Sequence, residues 1–380
     1  MKIVHVCLSC FYVDSRHYQE NELVRQHVSE GHDVLVIAST ETHSEDGTTS
    51  YRSAGGYLGS DGAPVVRLPY RLWPASLAHK LRVHPGVYQL LSEFQPDAIL
   101  FHGACGWEII NVARFCRANP QVLFYIDSHE DWHNSARNFL SREVLHKLYY
   151  RFCLRRAWPV AGAILCISTE TMDFVESVYR VPRSKLEFFP LAGHPVQPNT
   201  YSERRARTRA ELGIRSDQIL FVQSGKQTRR KKLVEALLAF ERRPLERFVM
   251  VIAGSLAADI RTEAEKLISR NPAIRFLGWK DVEALTDLLC AADIYLQPGT
   301  QSVSMQHSLC CHCAVIIDDV PSHHIYLNGN GWLINDVTPL EKILEEVGQA
   351  DLATLQERSY EFAKNFLDYS MLSQRVLRAY

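Results

Sequence analysis

The chain has 380 residues, 46% of them hydrophobic and 22% charged, and its 42 Lys and Arg against 43 Asp and Glu leave a formal net charge of −1. Ordinary globular usage of this kind excludes disorder, collagen and a disulfide miniprotein, and near-neutrality excludes a global field that would hold the protein on nucleic acid, so any anion site has to be local. A typical domain has about 100–200 residues, so two cores are expected.

The opening Met1-Lys2-Ile3-Val4-His5-Val6-Cys7 has one basic residue and no small-residue cleavage pattern after it, and reads as a strand, not a signal peptide. Further strands are predicted at Asp33–Ala38, Val65–Leu68, Ala98–Phe101, Val122–Ile126 and Ala163–Ile167, with the first running Ile3–Leu8. Amphipathic segments separate them; Glu20–Glu30 places Leu23, Val24 and Val28 on one face and stops at Gly31. This alternation predicts a parallel sheet with helices on both faces.

The polar, proline-bearing stretch Gly193–Asn199 interrupts the pattern, and a basic helix near Glu203–Leu212 follows. Alternation then resumes with strands at Ile219–Gln223, Phe248–Ala253, Ile274–Leu277, Ile294–Gln297 and Ala314–Ile317. The expectation is an α/β protein of two Rossmann-like, doubly wound domains, residues 1–196 and 197–360, with a helical tail, 361–380, returning to the first. In such an arrangement the ligand belongs at the carboxyl ends of the strands, in a cleft between the domains.

No apolar stretch approaches the ~20 residues that span a bilayer, so any membrane contact is expected to be peripheral, at the inner face, for a protein otherwise read as cytoplasmic. Phe139–Trp158 mixes Tyr149, Tyr150, Phe152 and Trp158 with Arg142, Lys147, Arg151, Arg155 and Arg156. It reads as a half-buried helix with a basic outer face in preference to one lying on an anionic membrane. The run Cys310-Cys311-His312-Cys313 suggests a metal at first, but ligands so close in sequence cannot surround one tetrahedral ion. These are read as small apolar residues of a buried helix and turn, in a reducing compartment.

Three groups of residues can carry chemistry. Phe221–Lys232 is a strand passing through Gly225 into five cations, Lys226, Arg229, Arg230, Lys231 and Lys232, at a predicted helix start. Cations there oppose the helix dipole, a conflict that a bound diphosphate would relieve. Only one glycine precedes the lysine, which is not P-loop spacing. Leu296–His307 places a glycine turn before a helix beginning at Ser302, which would aim the amides of Ser302, Val303 and Ser304 at a second anion; alone, a simple helix cap at Ser302 or Ser304 is the better reading. His102 and His129 each follow a first-domain strand, where a doubly wound sheet exposes functional side chains.

Together these residues resemble the retaining GT-B glycosyltransferases called group 1, which build bacterial polysaccharides and glycolipids. The resemblance runs through Lys2–Cys7, Gly31-His32-Asp33-Val34, Ile167–Thr171, the basic loop, Phe276–Trp279, Ala291–Pro298 and Gly329–Leu333. It implies that Gly225, Lys226 and Lys231 hold the diphosphate of a nucleotide-sugar donor and stabilise it as it leaves. It further implies that His129 sits near the donor sugar; His102, by its place after a strand, is a candidate for the acceptor side. Gln301, Ser302, Val303, Ser304 and His307 would complete the donor site.

Two departures stand out. Tyr18-Gln19-Glu20-Asn21 occupies the place of the family's Gly-Gly loop, and the two glutamates that contact the donor are missing, His307 standing at the second. The expected reaction is retaining transfer to a saccharide or lipid-linked acceptor, with no cofactor beyond the nucleotide-sugar and no metal required. The rivals are a nucleotide-sugar 2-epimerase using Glu130 or Asp131, and a silent nucleotide-sugar-binding scaffold.

Overall fold

The computed structural model describes residues 1–43, 48–71, 74–132, 134–242, 246–300 and 302–378. The chain divides into two compact units, residues 1–190 joined by the tail from Tyr369, and Leu191–Asp368. The sequence places the break at 196/197. Residues 191–196 instead hold to the second unit by backbone pairing, Gly193 N–H to Leu367 O and Val196 N–H to Cys310 O, both 2.8 Å.

In the first unit the strands are β1 Lys2–Cys7, β2 Asp33–Ser39, β3 Glu41–His43, β4 Thr49–Tyr51, β5 Gly55–Leu58, β6 Pro64–Leu68, β7 Ala98–Phe101, β8 Leu123–Ser128, β9 Ile164–Cys166 and β10 Leu186–Phe188. Eight of them form one sheet in the order β10-β9-β8-β7-β1-β2-β6-β5, parallel except for the edge pair β5–β6, and β3–β4 make a separate two-stranded ribbon. The central strands are apolar because both faces are covered: Val4, Val6, Ile99, Phe101 and Ile126 lie in one core with Ile109, Val112 and Phe174 from the helices. The tail helix Tyr369–Arg375 packs on the helix Gln19–Ser29, where Ser373 Oγ donates to Glu30 at 2.9 Å.

The second unit repeats the plan with β11 Ile219–Gln227, β12 Phe248–Leu256, β13 Ile274–Phe276, β14 Ile294–Gln297, β15 Ala314–Asp318 and β16 Gly331–Ile334. They form one all-parallel sheet, β13-β12-β11-β14-β15-β16. Phe221, Met250, Ile252, Leu296 and Ile316 pack with Leu237 and Phe240 of the helix Leu233–Arg242. The basic helix expected after the break is Pro198–Glu211, and its charges are structural: Arg205 and Arg209 both pair with Asp293, Arg209 at 3.0 Å, and Arg204 and Arg207 with Asp287.

Strand order decides where function can sit. Each sheet grows outward in both directions from an inner pair, β1 and β7 in the first and β11 and β14 in the second. The connections leaving the carboxyl ends of such a pair diverge to opposite faces and leave a crevice between them.

Candidate functional site

At the first switch point the segment after β1 supplies Ser9 and Cys10, and the segment after β7 supplies His102 and Gly103. They line an open pocket of about 570 Å³, together with Glu20, Arg82, Asp127, His129 and Glu130. Gly103 takes φ 91°, and a Cβ there would lie 2.9 Å from that of Ser9, so the two segments close on each other only because glycine stands at this position.

His102 lies inside a chain of buried imidazoles. Its Nδ1 contacts Asp127 Oδ2, its Nε2 lies 2.9 Å from His5 Nδ1, His5 Nε2 lies 2.9 Å from His27 Nδ1, and His27 Nε2 lies 3.2 Å from the carbonyl of Ser373. Both ends of this chain are acceptors, a carboxylate and a carbonyl. Each of the four hydrogen bonds needs one N–H, and three neutral imidazoles supply only three. The chain therefore holds one extra proton, and the place for the resulting imidazolium is His102, beside Asp127.

The electrostatics agree. Burial pulls His102 down, but the Asp127 carboxylate outweighs it and pushes the ring up to about 9. Burial, and then the neighbouring imidazoles, hold His5 well below the ordinary histidine value, and burial lowers His27 to about 4. Asp127 is drawn below the usual carboxylate range, burial opposing and His102 prevailing.

His129 stands at the open side of this arrangement, its Nε2 3.8 Å from Asp127 Oδ1 and its side chain 39% exposed. Its backbone is fixed by its own turn: its N–H donates to Glu130 Oε2 at 3.1 Å and its carbonyl accepts from Asn134 Nδ2 at 2.7 Å. Of the two sequence-chosen histidines, His129 is thus free to meet a ligand and His102 is committed to the buried chain. Glu20, at the start of the helix Gln19–Ser29, is buried at the pocket, and that burial raises its pKa. A carboxyl group thus stands here in place of a glycine loop.

The second switch point is built differently. β11 runs on through Gly225, at φ 105°, to Gln227, and the cations form a tight turn, Arg229–Lys231, ahead of the helix Leu233–Arg242. The predicted basic helix start is therefore a basic turn, ended by Lys232 in the left-handed region at φ 51°. Cations of the turn are engaged within the fold: Lys232 pairs with Asp318 at 3.0 Å, and Arg229 donates to Asp259 O at 2.9 Å. Lys226 is exposed.

Lys231 joins the two anion seats read from the sequence. Its Nζ donates to Thr300 O at 2.6 Å, while Thr300 N–H donates to Arg230 O at 3.1 Å. Gly299 makes the approach feasible, since a Cβ there would lie 2.1 Å from Arg230 O. Burial, and then the neighbouring charge of Arg230, lower Lys231 to about 8. The helix Val303–Cys310 follows, with Ser302 at its N-cap position. Ser302 makes no cap; its hydroxyl donates to Gln297 Oε1 at 2.6 Å. The cap reading preferred from the sequence therefore fails for Ser302, because Gln297 at the end of β14 captures the hydroxyl.

Val303 is exposed and Ser304 half-buried at the start of that helix, while Gln301 lies outside the described residues. His307, one turn further on, turns to Thr286 Oγ1 at 3.1 Å, and burial lowers it to about 4, so it is a neutral ring and no substitute for a carboxylate. All ten cysteines are free thiols, and among the described residues no group of His, Cys, Asp and Glu is assembled as a metal site.

Sequence reading missed Asp127, His5, His27, Glu20 and Arg82. Asp127 carried a signal, since it ends β8 in the same Asp-Ser-His run as His129. His5 and His27 carried none, since one lies within an apolar strand and the other within a helix, 22 residues apart. Arg82, whose guanidinium reaches Ser9 O across the pocket wall, comes from a loop with no motif.

Residues 21–192 match the family model described as Glycosyltransferase Family 4. The alpha-galactosylglucosyldiacylglycerol synthase of Streptococcus pneumoniae is 24% identical over 207 residues, 50% of this chain and 54% of the relative, so the chain spans about half the length of this curated relative. Among solved structures, the sucrose-phosphate synthase of Thermosynechococcus elongatus superposes with a TM-score of 0.63 at 14% identity, over 99% of this chain and 97% of that one. HepE of Anabaena in complex with UDP does so with 0.63 at 14%, over 99% and 98%. WaaG, a glycosyltransferase involved in lipopolysaccharide biosynthesis, does so with 0.59 at 16%, over 98% of each chain. With two doubly wound units and these likenesses together, the chain has the GT-B fold and is similar to glycosyltransferases of that fold.

Proposed function

We propose that the protein transfers a sugar from a nucleoside-diphosphate-sugar to a saccharide or lipid-linked acceptor, with retention of configuration, in the assembly of a bacterial surface glycan or glycolipid. The observation that carries this reading is the contact of Lys231 with Thr300, which brings the basic turn and the glycine turn together at the second switch point. Crevices of this kind are where doubly wound sheets hold nucleotides. HepE, of like fold, has been seen with UDP and with UDP-glucose, and the pneumococcal relative is named for a glycolipid product.

In the proposed reaction the bond from the sugar's anomeric carbon to the diphosphate breaks, and one forms to the acceptor oxygen on the same face. The acceptor proton passes to the departing diphosphate. Negative charge grows on that leaving group, and Lys226, Lys231 and the amides at Val303 and Ser304 supply positive potential where it develops. Gly225 lets the diphosphate approach the backbone. This scheme draws on no metal or further cofactor. In the first unit His129 orients the sugar or the acceptor hydroxyl, while His102 acts through Asp127, to which it is bonded.

The epimerase alternative needs a carboxylate that takes and returns a proton. Glu130 lines the pocket, yet it already accepts from Ser128 Oγ and His129 N–H, which disfavours proton abstraction. A screen of UDP-, GDP-, CMP- and dTDP-sugars with mixed saccharide and glycolipid acceptors, read by mass spectrometry and by NMR of the new anomeric centre, tests the proposal. Transfer with the donor's configuration kept is expected. Inversion would overturn retention, an epimerised nucleotide-sugar without acceptor would favour the rival, and donor binding without turnover would indicate a scaffold.

A further inference from the structure

The helix Leu140–Tyr150 carries i→i+5 hydrogen bonding and continues without a break as Arg151–Ala157. Its inner face is well used: His146, Tyr150, Cys153, Leu154 and Ala157 are buried, and Leu145, His146 and Tyr150 line the pocket of the first unit. The outer face departs from the basic surface expected from sequence. Leu140, Val144, Leu148 and Phe152 recur every four residues and stand out from the fold, with Phe139 beside the first of them. Phe139 is 72% exposed, Leu148 65% and Leu140 63%. A continuous ridge of large apolar side chains in water is unfavourable for a monomer and marks a surface that something covers.

Charge says what covers it. The segment from Phe139 to Trp158 holds five cations, Arg142, Lys147, Arg151, Arg155 and Arg156, against the single acid Glu143. That acid is shared by Arg142 and Lys147, both at 2.8 Å. The guanidinium of Arg156 lies 3.6 Å above the Phe152 ring, placing a cation at the end of the ridge. A second copy of this face would bring like charges together, whereas an apolar ridge flanked by cations matches the headgroup and acyl boundary of an anionic bilayer.

We infer that this face docks the protein on an anionic lipid surface, with the side chains of Phe139, Leu140, Val144, Leu148 and Phe152 entering the interface and the flanking cations meeting lipid phosphates. Asn138 and Ser141, on either side of Phe139 and Leu140, line the pocket. Docking through this helix therefore brings the pocket's rim to headgroup level, where a lipid-linked acceptor presents its sugar. This role rests on the proposed use of such an acceptor; the docking itself does not.

Flotation of the full chain with vesicles of phosphatidylcholine, alone or with phosphatidylglycerol, tests the inference. Binding is expected only with phosphatidylglycerol, and it should weaken about tenfold or more in Leu140→Ser, Leu148→Ser and in Arg155→Gln, Arg156→Gln, both with unchanged melting temperatures. High salt should release the protein. Should a double serine variant unfold, Leu148→Ser alone serves, since it is the most exposed of the four-residue repeat. Equal binding by folded variants, no preference for the anionic vesicles, or self-association through this face would overturn the inference. Nucleoside-diphosphate binding measured on the same samples separates the two readings: its loss with docking intact strikes only the transferase proposal.

Discussion

The two switch points of this protein occupy the same place in two similar sheets and have different chemistry. The crevice between β1 and β7 mixes carboxylates and buried imidazoles with Lys80, Arg82 and Arg137, and its His102 and Asp127 are paired with each other. The crevice between β11 and β14 is built from glycines and cations, among them the exposed Lys226, and Lys231, whose Nζ donates to Thr300 O. A sheet thus determines where a site lies and leaves its sign to the few residues that follow the strands. An anionic ligand is therefore expected at the second crevice.

The largest expected effect comes from reversing that difference at its basic end. Lys231→Ala, or Lys226→Ala, should lower turnover roughly ten- to a thousandfold, by analogy with the loss of other charge-stabilising donors. The cost should fall on kcat/KM in steady-state assays, with little change in melting temperature for the exposed Lys226.

Next in size is the first crevice. Asp127→Asn leaves the His102 imidazolium buried without its counter-charge, and chemical denaturation should register a loss of about 3 kcal/mol or more at neutral pH. The sign of the pH dependence follows from the shifts. His102 is pushed up to about 9 in the fold from the ordinary 6.5, so the stability it contributes is complete below 6.5 and disappears as pH rises through 9. His27 is lowered to about 4, so it disfavours the folded state as pH falls from 6.5 towards 4. The wild type should therefore be most stable at neutral pH, and Asp127→Asn should lose the alkaline limb of that profile. Equal profiles for the two proteins would mean that the imidazole chain is uncharged.

A smaller effect sharpens the contrast between the crevices. Lys231 is lowered to about 8, so in the unliganded protein it loses charge as pH rises through that value. Nucleoside-diphosphate affinity should fall severalfold between pH 7 and 9, and Lys231→Arg, which keeps its charge, should flatten the decline. The subtlest change is Gly299→Ala, whose Cβ has to displace the Arg230 carbonyl 2.1 Å away. It should weaken nucleotide binding by moving Lys231 while leaving all cations in place.

Much of this was legible in the sequence, for identifiable reasons. Buried parallel strands are apolar runs, so β1, β2, β7, β11, β12, β14 and β15 stand out, and His102 and His129 are recognisable by following such runs. The short strands β3, β4, β5, β10 and β16 are not, because edges and ribbons need no apolar core. Partnerships across the fold were equally hidden. His5 faces His102 over 97 residues of chain through the pairing of β1 with β7, which puts His5 level with Leu100. Thr300 meets Lys231 over 69 residues. Motif reading found both turns and could not see that they touch.

The central claim, that the second crevice holds the diphosphate of the donor, is tested most directly by calorimetric titration of UDP, GDP, CDP and dTDP into the wild type and a Lys226→Ala, Lys231→Ala variant. At least one of them should bind the wild type, and its affinity should fall about a hundredfold or more when both cations are removed. Equal affinity in the two proteins would contradict the account and move the nucleotide away from this turn.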